Sequence, residues 1–338
     1  MAMHLDGGHR TAARLTALTL LAGLCALAFL LSIGAGAVNL SLGEVWRALF
    51  VETSGVRRQI VFNLRLPRAL AAMLSGAALS AAGVILQGVL LNPLASANII
   101  GVNAGAGLTT LLFACLFPTA AGLLPAAAFA GAMAAALLIL LLAGRMGASR
   151  LTVVLAGVAV NAILSAGTDL ITTLEPEATL GMSAFMIGGF SGVSAARVYT
   201  AAAYILPALA LALLTAGRLD VLGLGDEVAQ SVGLRVRRAR VGQLMLASVL
   251  AGAAISFSGL LGFVGLIVPH ALRPLTGGEN RALLPLSMLG GALFVLVCDT
   301  VARTAFAPYE VPVGILLALV GGPFFLWLLL HQRKGGRA

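Results

Sequence analysis

Charge is scarce in this sequence, and its scarcity excludes a water-soluble fold. Only 10% of the 338 residues are charged, 60% are hydrophobic, and the mean hydropathy is +1.05. Residues 69–144 contain no Asp, Glu, Lys or Arg. A helix needs about 20 apolar residues to cross the hydrocarbon core, so this stretch alone has room for about three crossings. The chain is therefore predicted to be an all-α polytopic membrane protein.

Residues that usually carry enzyme chemistry are also few. The three cysteines, Cys25, Cys115 and Cys298, are scattered through apolar segments and fit neither a disulfide framework nor a metal site. The four histidines form no HExxH pattern, and the only lysine, Lys334, lies in the tail, where it cannot complete a P-loop. The sequence thus predicts no metal, no cofactor and no enzymatic activity, so any ATP hydrolysis belongs to another protein.

What the chain does contain is an internal repeat. Residues 75–93 read SGAALSAAGVILQGVLLNP, and residues 251–269 read AGAAISFSGLLGFVGLIVP. Half a chain separates the copies, which indicates two versions of one unit within a single transmembrane domain, 1–338. The pseudo-repeats are predicted to cover roughly residues 15–175 and 198–332.

Uncharged stretches predict about ten spans. They are 15–37, 62–91, 97–117, 121–143, 151–172, 198–216, 241–258, 261–272, 283–302 and 311–330. The first is interpreted as a retained span and not a signal peptide, and 261–272 as half of a broken helix. The two repeat copies fall in the second and seventh spans, which run in opposite directions. The prediction is an inverted five-helix repeat.

The excess of basic residues orients these spans. Both termini lie on one side, and placing them in the cytoplasm puts most arginines inside, as the positive-inside rule requires. The net charge of +9 is thereby explained by topology, and no nucleic-acid partner is predicted.

Three places depart from a plain apolar bundle. Arg65 and Arg68 stand at the outer start of the second span, and Asp299 and Arg303 are spaced for an i,i+4 pair at the outer end of the ninth. From the residues alone, these arginines are either interfacial anchors or contacts for a partner. The uncharged Asn92-Pro93-Leu94 turn either ends a helix or lines a passage.

The third departure is the polar segment RLDVLGLGDEVAQSVGLRVRRAR, residues 218–240. Asp226 and Glu227 are predicted to occupy the first turn of a short helix, where acids favour the dipole, and Gly233 to end it. The segment is either a solvated connection or a lever for a partner protein.

Several motifs together resemble one family, the FecCD permease subunits of bacterial ABC importers for iron-siderophores, haem and cobalamin. They are LRLPRALAAMLSGAALSAAGVILQGVLLNPLASANIIGVNAGAG (64–107), LGLGDEVAQSVGL (222–234), GLLGFVGLIVPHALR (259–273), LPLSMLGGALFVLVCDTVAR (284–303) and VPVGILLALVGGPFF (311–325). Two positions depart from the family pattern. Phe185 replaces a frequent Trp, and Asn98 replaces a frequent Pro.

The resemblance implies a type II ABC importer permease in the bacterial cytoplasmic membrane. Its expected partners are a second permease, identical or paralogous, two cytoplasmic ATPases, an external substrate-binding protein and membrane lipid. The expected cargo is an iron chelate, with a siderophore favoured over haem or cobalamin. By the same resemblance, segment 219–238 would couple to the ATPase.

The resemblance also assigns residues to roles. The binding protein would dock on Arg65, Arg68 and Arg303. The cytoplasmic gate would contain Asn92, Leu94 and Ser149. Coupling to the ATPase would use Leu224, Gly225, Asp226, Glu227, Ala229 and Gly233.

Two other functions compete with this prediction. An ion-gradient-driven secondary transporter would place ionisable groups near the middle of the membrane, whereas Asp169 and Asp299 lie toward outer span ends. A membrane-embedded enzyme would need clustered carboxylates, which the sequence does not contain.

Overall fold

The computed structural model describes residues 7–36, 40–52, 54–145, 149–307 and 309–332. Within these residues all regular secondary structure is helical. The predicted cytoplasmic termini, residues 1–6 and 333–338 with Lys334, lie outside the described residues.

The described residues of the first half form seven α-helices. They are α1 (Gly7–Gly34), α2 (Leu42–Phe50), α3 (Val56–Ile60), α4 (Leu66–Leu90), α5 (Val102–Leu116), α6 (Leu124–Arg145) and α7 (Arg150–Leu174). A π-helical turn, Val61–Arg65, joins α3 to α4, and short 3-10 turns at Ala97–Ile100 and Ala121–Leu123 precede α5 and α6.

In the second half, the part that the structure describes also forms seven. They are α8 (Pro176–Ile187), α9 (Ala195–Gly223), α10 (Asp226–Ser231), α11 (Val236–Ser258), α12 (Val264–Thr276), α13 (Asn280–Thr304) and α14 (Val313–Gln332).

Each of the ten predicted spans falls on one of these helices. Seven described segments are long and apolar enough to cross a membrane, and α5 and Val313–Leu328 are shorter apolar helices. The predicted half-helix at 261–272 corresponds to α12, which has 13 residues. Helices α2, α3 and α8 lie outside the predicted spans, because the count of spans considered only long uncharged stretches.

The core lies around α4 and α11, the two helices that carry the repeat. In each of them 78% of the most apolar window is buried, compared with 22% in α1 and 17% in α7. Helices α1 and α7 therefore lie at the periphery, where they face lipid or another subunit.

Small residues allow the central helices to touch through their backbones. A Cβ atom at Gly76 would overlap the carbonyl oxygen of Gly291 in α13, and one at Gly83 would overlap that of Gly265 in α12. Since lipid does not drive helices together, close backbone contact is a main source of packing energy.

The two repeat copies make equivalent contacts over part of their length. Gly76 faces α13, the ninth span, and its counterpart Gly252 faces Ala132 of α6, the fourth span. The copies then diverge, because α4 continues to Leu90 whereas α11 ends at Ser258. Gly259, with φ +72°, ends α11 within the second copy. The separate short helix α12 follows from Val264.

Helix α13 separates two polar regions. Its 25 residues span about 37 Å. At its first turn, the carboxylate of Asp220 in α9 accepts hydrogen bonds from the backbone N–H groups of Asn280 (2.6 Å) and Arg281 (3.3 Å). Asp299 and Arg303 lie at its other end. Because α10 follows α9 directly, it lies at the end opposite Arg303.

Candidate functional site

We call the region around Arg65, Arg68, Asp299 and Arg303 the arginine end. Its centre is the fully buried carboxylate of Asp299. Arg68 donates from Nε to Oδ2 of Asp299 (2.9 Å) and from Nη2 to Oδ1 (3.0 Å), a two-pronged pairing that is among the stronger ion pairs. Arg68 Nη1 also donates to Oε2 of the half-exposed Glu310 (2.7 Å). Arg68 thus bridges the start of α4 to the end of α13 and to the loop before α14.

The predicted i,i+4 pair is confirmed as the weaker of two contacts to the same carboxylate. Arg303 Nε lies 3.9 Å from Oδ2 of Asp299. Arg68, which lies 231 positions away in sequence, is the nearer partner, and no local spacing rule could have found it.

Arg65 and Arg303 close the end of α1. Arg65 Nη1 donates to the carbonyl oxygens of Ile33 (2.7 Å) and Gly34 (2.8 Å). Arg303 Nη2 donates to the hydroxyl (2.8 Å) and the carbonyl oxygen of Ser32. The last carbonyls of a helix lack partners within the helix, and a cation there is favoured by the helix dipole. Both arginines therefore hold peripheral α1 to the central helices.

The three arginines predicted to dock a partner are thus brought together, but they are buried. Arg65 and Arg303 are each 6% exposed, and the side chain of Arg68 is 12% exposed. A cavity of about 410 Å³ opens beside them and is also lined by Asn63, Ser191, Glu310 and residues around them. Among nearby basic side chains, Arg57 is half exposed.

The candidate gate residues lie at the opposite end, which we call the coupling end. The Asn92-Pro93-Leu94 turn satisfies its own polar groups, since the side chain of Asn92 accepts from the N–H of Leu94 (2.9 Å). Leu91 precedes the turn with φ +47° and ends α4. A short polar side chain that bonds the backbone two residues later is a common way to fix such a turn. The uncharged turn is therefore a defined structure.

Ser149 begins the next element at this end. Its hydroxyl caps α7 by accepting from the backbone N–H of Thr152 (3.1 Å), and its side chain is exposed. The adjacent Arg150 binds Asp226 of α10 (2.9 Å). Ser149 is therefore one residue from an ionic link to the coupling segment.

The coupling segment forms the short helix that the sequence predicts. Gly225, at φ +100°, precedes α10, and Asp226 and Glu227 occupy its first turn. Gly233, at φ +85°, ends the segment, while Leu234 N–H returns to the carbonyl of Ala229 (3.0 Å). Both glycines adopt backbone conformations that other residues rarely reach.

Asp226 connects this helix to two spans. Its carboxylate accepts from Arg240 Nη2 (2.7 and 2.8 Å) in α11 and from Arg150 Nη2 (2.9 Å) in α7. Ala229 is fully buried beneath the helix. Sequence reasoning placed Asp226 in the short helix but did not find its two ion pairs. The available signal was an arginine near the start of each of the two spans.

The outer face of the coupling segment is apolar. Leu224, Val228 and Val232 are spaced four residues apart and are 63%, 46% and 64% exposed. A solvated connection has no need for an apolar row, whereas a protein partner would bury it. The exposed Glu227 lies beside this row.

Comparisons with known proteins find one family over most of the chain. The model of the FecCD transport family matches residues 24–331. The hemin transport system permease protein HmuU of Yersinia pestis is 39% identical, over 88% of this chain and 90% of its own length. The Fe(3+) dicitrate transport system permease protein FecD of Escherichia coli is 37% identical, over 89% of this chain and 96% of its own length.

A solved structure shares the fold. It is described as an inward-facing conformation of a metal-chelate type ABC transporter. It matches this chain with a TM-score of 0.83 and 29% identity, over 93% of this chain and 98% of its own.

Proposed function

Since this chain belongs to the FecCD transport family, we propose that it imports an iron chelate through a complex powered by separate ATPase subunits. The chain itself is an ABC importer permease with the type II fold. The observation that carries the rest is the coupling end, where a capped helix presents an exposed apolar row and is bound to two spans.

The proposed cargo follows from the relatives. One is named for hemin and another for ferric dicitrate, and their identities to this chain, 39% and 37%, are too similar to separate the two. An iron chelate of the siderophore class remains our first candidate, and haem is the second.

The proposed assembly has two permease chains, two ATPases at the coupling end and a substrate-binding protein at the arginine end. Both termini and α10 would face the cytoplasm, as the distribution of arginine favours. The apolar row of α10 would seat in an ATPase. Peripheral α7, only 17% buried in its apolar window, leaves room for a second copy of the chain.

The proposed mechanism uses the links of Asp226. ATPase closure would displace α10, and the ion pairs of Asp226 with Arg150 and Arg240 would carry that displacement into α7 and α11. The cytoplasmic gate of Asn92, Leu94 and Ser149 lies at the same end, so the motion would act on it directly. Alternation between inward- and outward-facing states follows from tilting these spans.

Because the three arginines of the arginine end are largely buried, their predicted role in docking the binding protein has to be divided among them. In the described conformation Arg68 binds Asp299 and Glu310, so a carboxylate of the binding protein would compete with these acids for it. Arg65 and Arg303 would contribute by holding α1 in place beneath the docking surface. Exposed basic side chains such as Arg57 would supply the long-range attraction.

Uptake by reconstituted vesicles tests the function. Vesicles containing this chain, its ATPase and its binding protein should accumulate radioactive iron from a ferric siderophore when ATP is inside. Ionophores that dissipate proton and sodium gradients should leave uptake unchanged. Uptake that needs an ion gradient and ignores ATP would contradict the proposal and favour the secondary transporter.

A further inference from the structure

Helix α2, outside the predicted spans, presents two aromatic rings to its surroundings. Val45 and Ala48 are buried with Ile33 and Val61 in a small apolar cluster. On the outer side, Trp46 and Phe50 are 63% and 68% exposed, with ring centroids 4.4 Å apart. Glu44 and Arg47 occupy the polar side of the same helix. Helix α2 thus has an exposed apolar side that its packing within the protein does not bury.

Hydrogen bonds at both ends of α2 hold the helix that carries these rings in place. Ser41 and Glu44 form a reciprocal capping box at the start of α2. The N–H of Ser41 and then its hydroxyl lower the pKa of Glu44, so the carboxylate remains charged. At the other end, Arg58 Nη1 donates to the carbonyl oxygens of Ala48 (3.2 Å) and Glu52 (2.6 Å). Both ends of α2 are therefore held, and the rings are exposed on an ordered helix.

The position of α2 relative to α1 locates it in the membrane. The apolar part of α1, Ala12–Gly34, has 23 residues, which is enough to cross the hydrocarbon core and end at its boundary. Helix α2 packs directly against Ile33 at that end. Along α1, leucines such as Leu24, Leu27 and Leu31 are exposed, as a lipid-facing helix requires. The exposed rings of α2 therefore lie near the end of this span, at the level where hydrocarbon is expected to meet water.

We propose that α2 is an interfacial anchor that binds phospholipid. Trp46, Phe50 and the adjacent Val51, 66% exposed, insert at the boundary between headgroups and acyl chains. Arg47 lies on the water side, where it can meet lipid phosphate. Tryptophan prefers this level because its ring is apolar and its indole N–H is polar. The arrangement is that of a helix lying in the membrane surface.

Lipid fits this surface better than a docking protein does. Trp46 and Phe50 lie at the level where α1 ends, and Glu44 and Arg47 lie on the polar side of the same helix. Such a layered distribution matches a bilayer boundary. The inference does not depend on the cargo or on the ATPase, so it can fail while the proposed function stands.

Tryptophan fluorescence tests the anchor, because the chain contains only two tryptophans, Trp46 and Trp327. In the full-length Trp327→Phe variant, placed in phosphatidylcholine nanodiscs, Trp46 is the sole reporter. Lipid brominated near the headgroup should quench its emission roughly twofold, and lipid brominated near the chain end should quench it less. Acrylamide in the water should quench it only weakly. Should Trp327→Phe fail to fold, the difference between wild type and Trp46→Phe isolates the same signal.

Two results would overturn the anchor. One is strong acrylamide quenching of Trp46 without any effect of brominated lipid, which would place the ring in water. The other is protection from acrylamide only when the purified substrate-binding protein is added, which would make α2 a protein-docking surface.

Discussion

The two ends of the bundle use charge in opposite ways. At the arginine end, Asp299 is fully buried and Arg303 almost so, and their contacts are directed inward to α1, α4 and α13. At the coupling end, the side chains of Asp226 and Arg150 are 43% and 30% exposed beside an exposed apolar row, although the other partner of Asp226, Arg240, is buried. Buried ion pairs are costly to break, whereas partly exposed pairs are easily rearranged. One end is thus built to hold helices together and the other to be moved.

The largest expected effect comes from breaking the buried centre of the arginine end. Asp299→Asn would leave Arg68 and Arg303 without a buried counter-charge and should destabilise the fold by about 3–5 kcal/mol. Thermal unfolding of the wild type and the variant in detergent measures this loss of stability. The matched control, Glu310→Gln at the half-exposed partner of Arg68, should cost only about 0–1 kcal/mol. Equal effects from both variants would contradict the buried character of this end.

At the coupling end, the corresponding variant should impair function more than stability. Asp226→Asn removes the anionic partner of Arg150 and Arg240, so ATP-driven uptake should fall about tenfold while stability changes by about 1 kcal/mol. Uptake and ATPase activity are measured in the same vesicles. Asp226→Glu retains the charge and should recover part of the uptake. Normal uptake by Asp226→Asn would reject the proposed link.

A bulky side chain at Leu94 tests the predicted gate at the coupling end. Leu94→Trp should reduce uptake or change basal leakage several-fold, because the turn that holds Leu94 is fixed by Asn92. Leu141→Trp, at an exposed position on α6, is the matched control and should behave as wild type. Unaltered uptake and leakage with every large residue at position 94 would exclude a narrow gate there.

The smallest effect is expected from surface charge at the arginine end. Arg57→Glu should weaken association of the binding protein by about 1 kcal/mol at low salt and less at high salt, because exposed charges are screened. Arg303→Gln, at a buried position, should instead lower thermal stability. Affinity of Arg57→Glu that equals wild type at both salt concentrations would remove Arg57 from the docking surface.

Much of the fold could be predicted because lipid imposes simple rules on sequence. The apolar stretches located the spans, and the shortness of 261–272 indicated a broken helix. Local chemistry also identified α10, since acids at its start and Gly233 at its end are helix signals. The Asp299–Arg303 pair followed from helical spacing alone.

The remainder depended on contacts between distant parts of the chain. No spacing rule joins Arg68 to Asp299, or Arg65 to the carbonyl oxygens of Ile33 and Gly34. Helix α2 was missed because its mixed charged and apolar composition resembles a loop when only uncharged stretches are counted. Its periodicity, with Val45 and Ala48 on one side and Trp46 and Phe50 on the other, was the signal available.

Sided labelling tests whether the two ends face opposite sides of the membrane, on which the proposed import mechanism depends. Val56→Cys and Val232→Cys occupy exposed positions at the arginine and coupling ends, 72% and 64% exposed, in a chain whose native cysteines are replaced by serine or alanine. An impermeant maleimide added to intact spheroplasts that make this chain without its ATPase should label Val56→Cys at once, and Val232→Cys only after permeabilisation. Labelling of both positions from the same side would contradict the account.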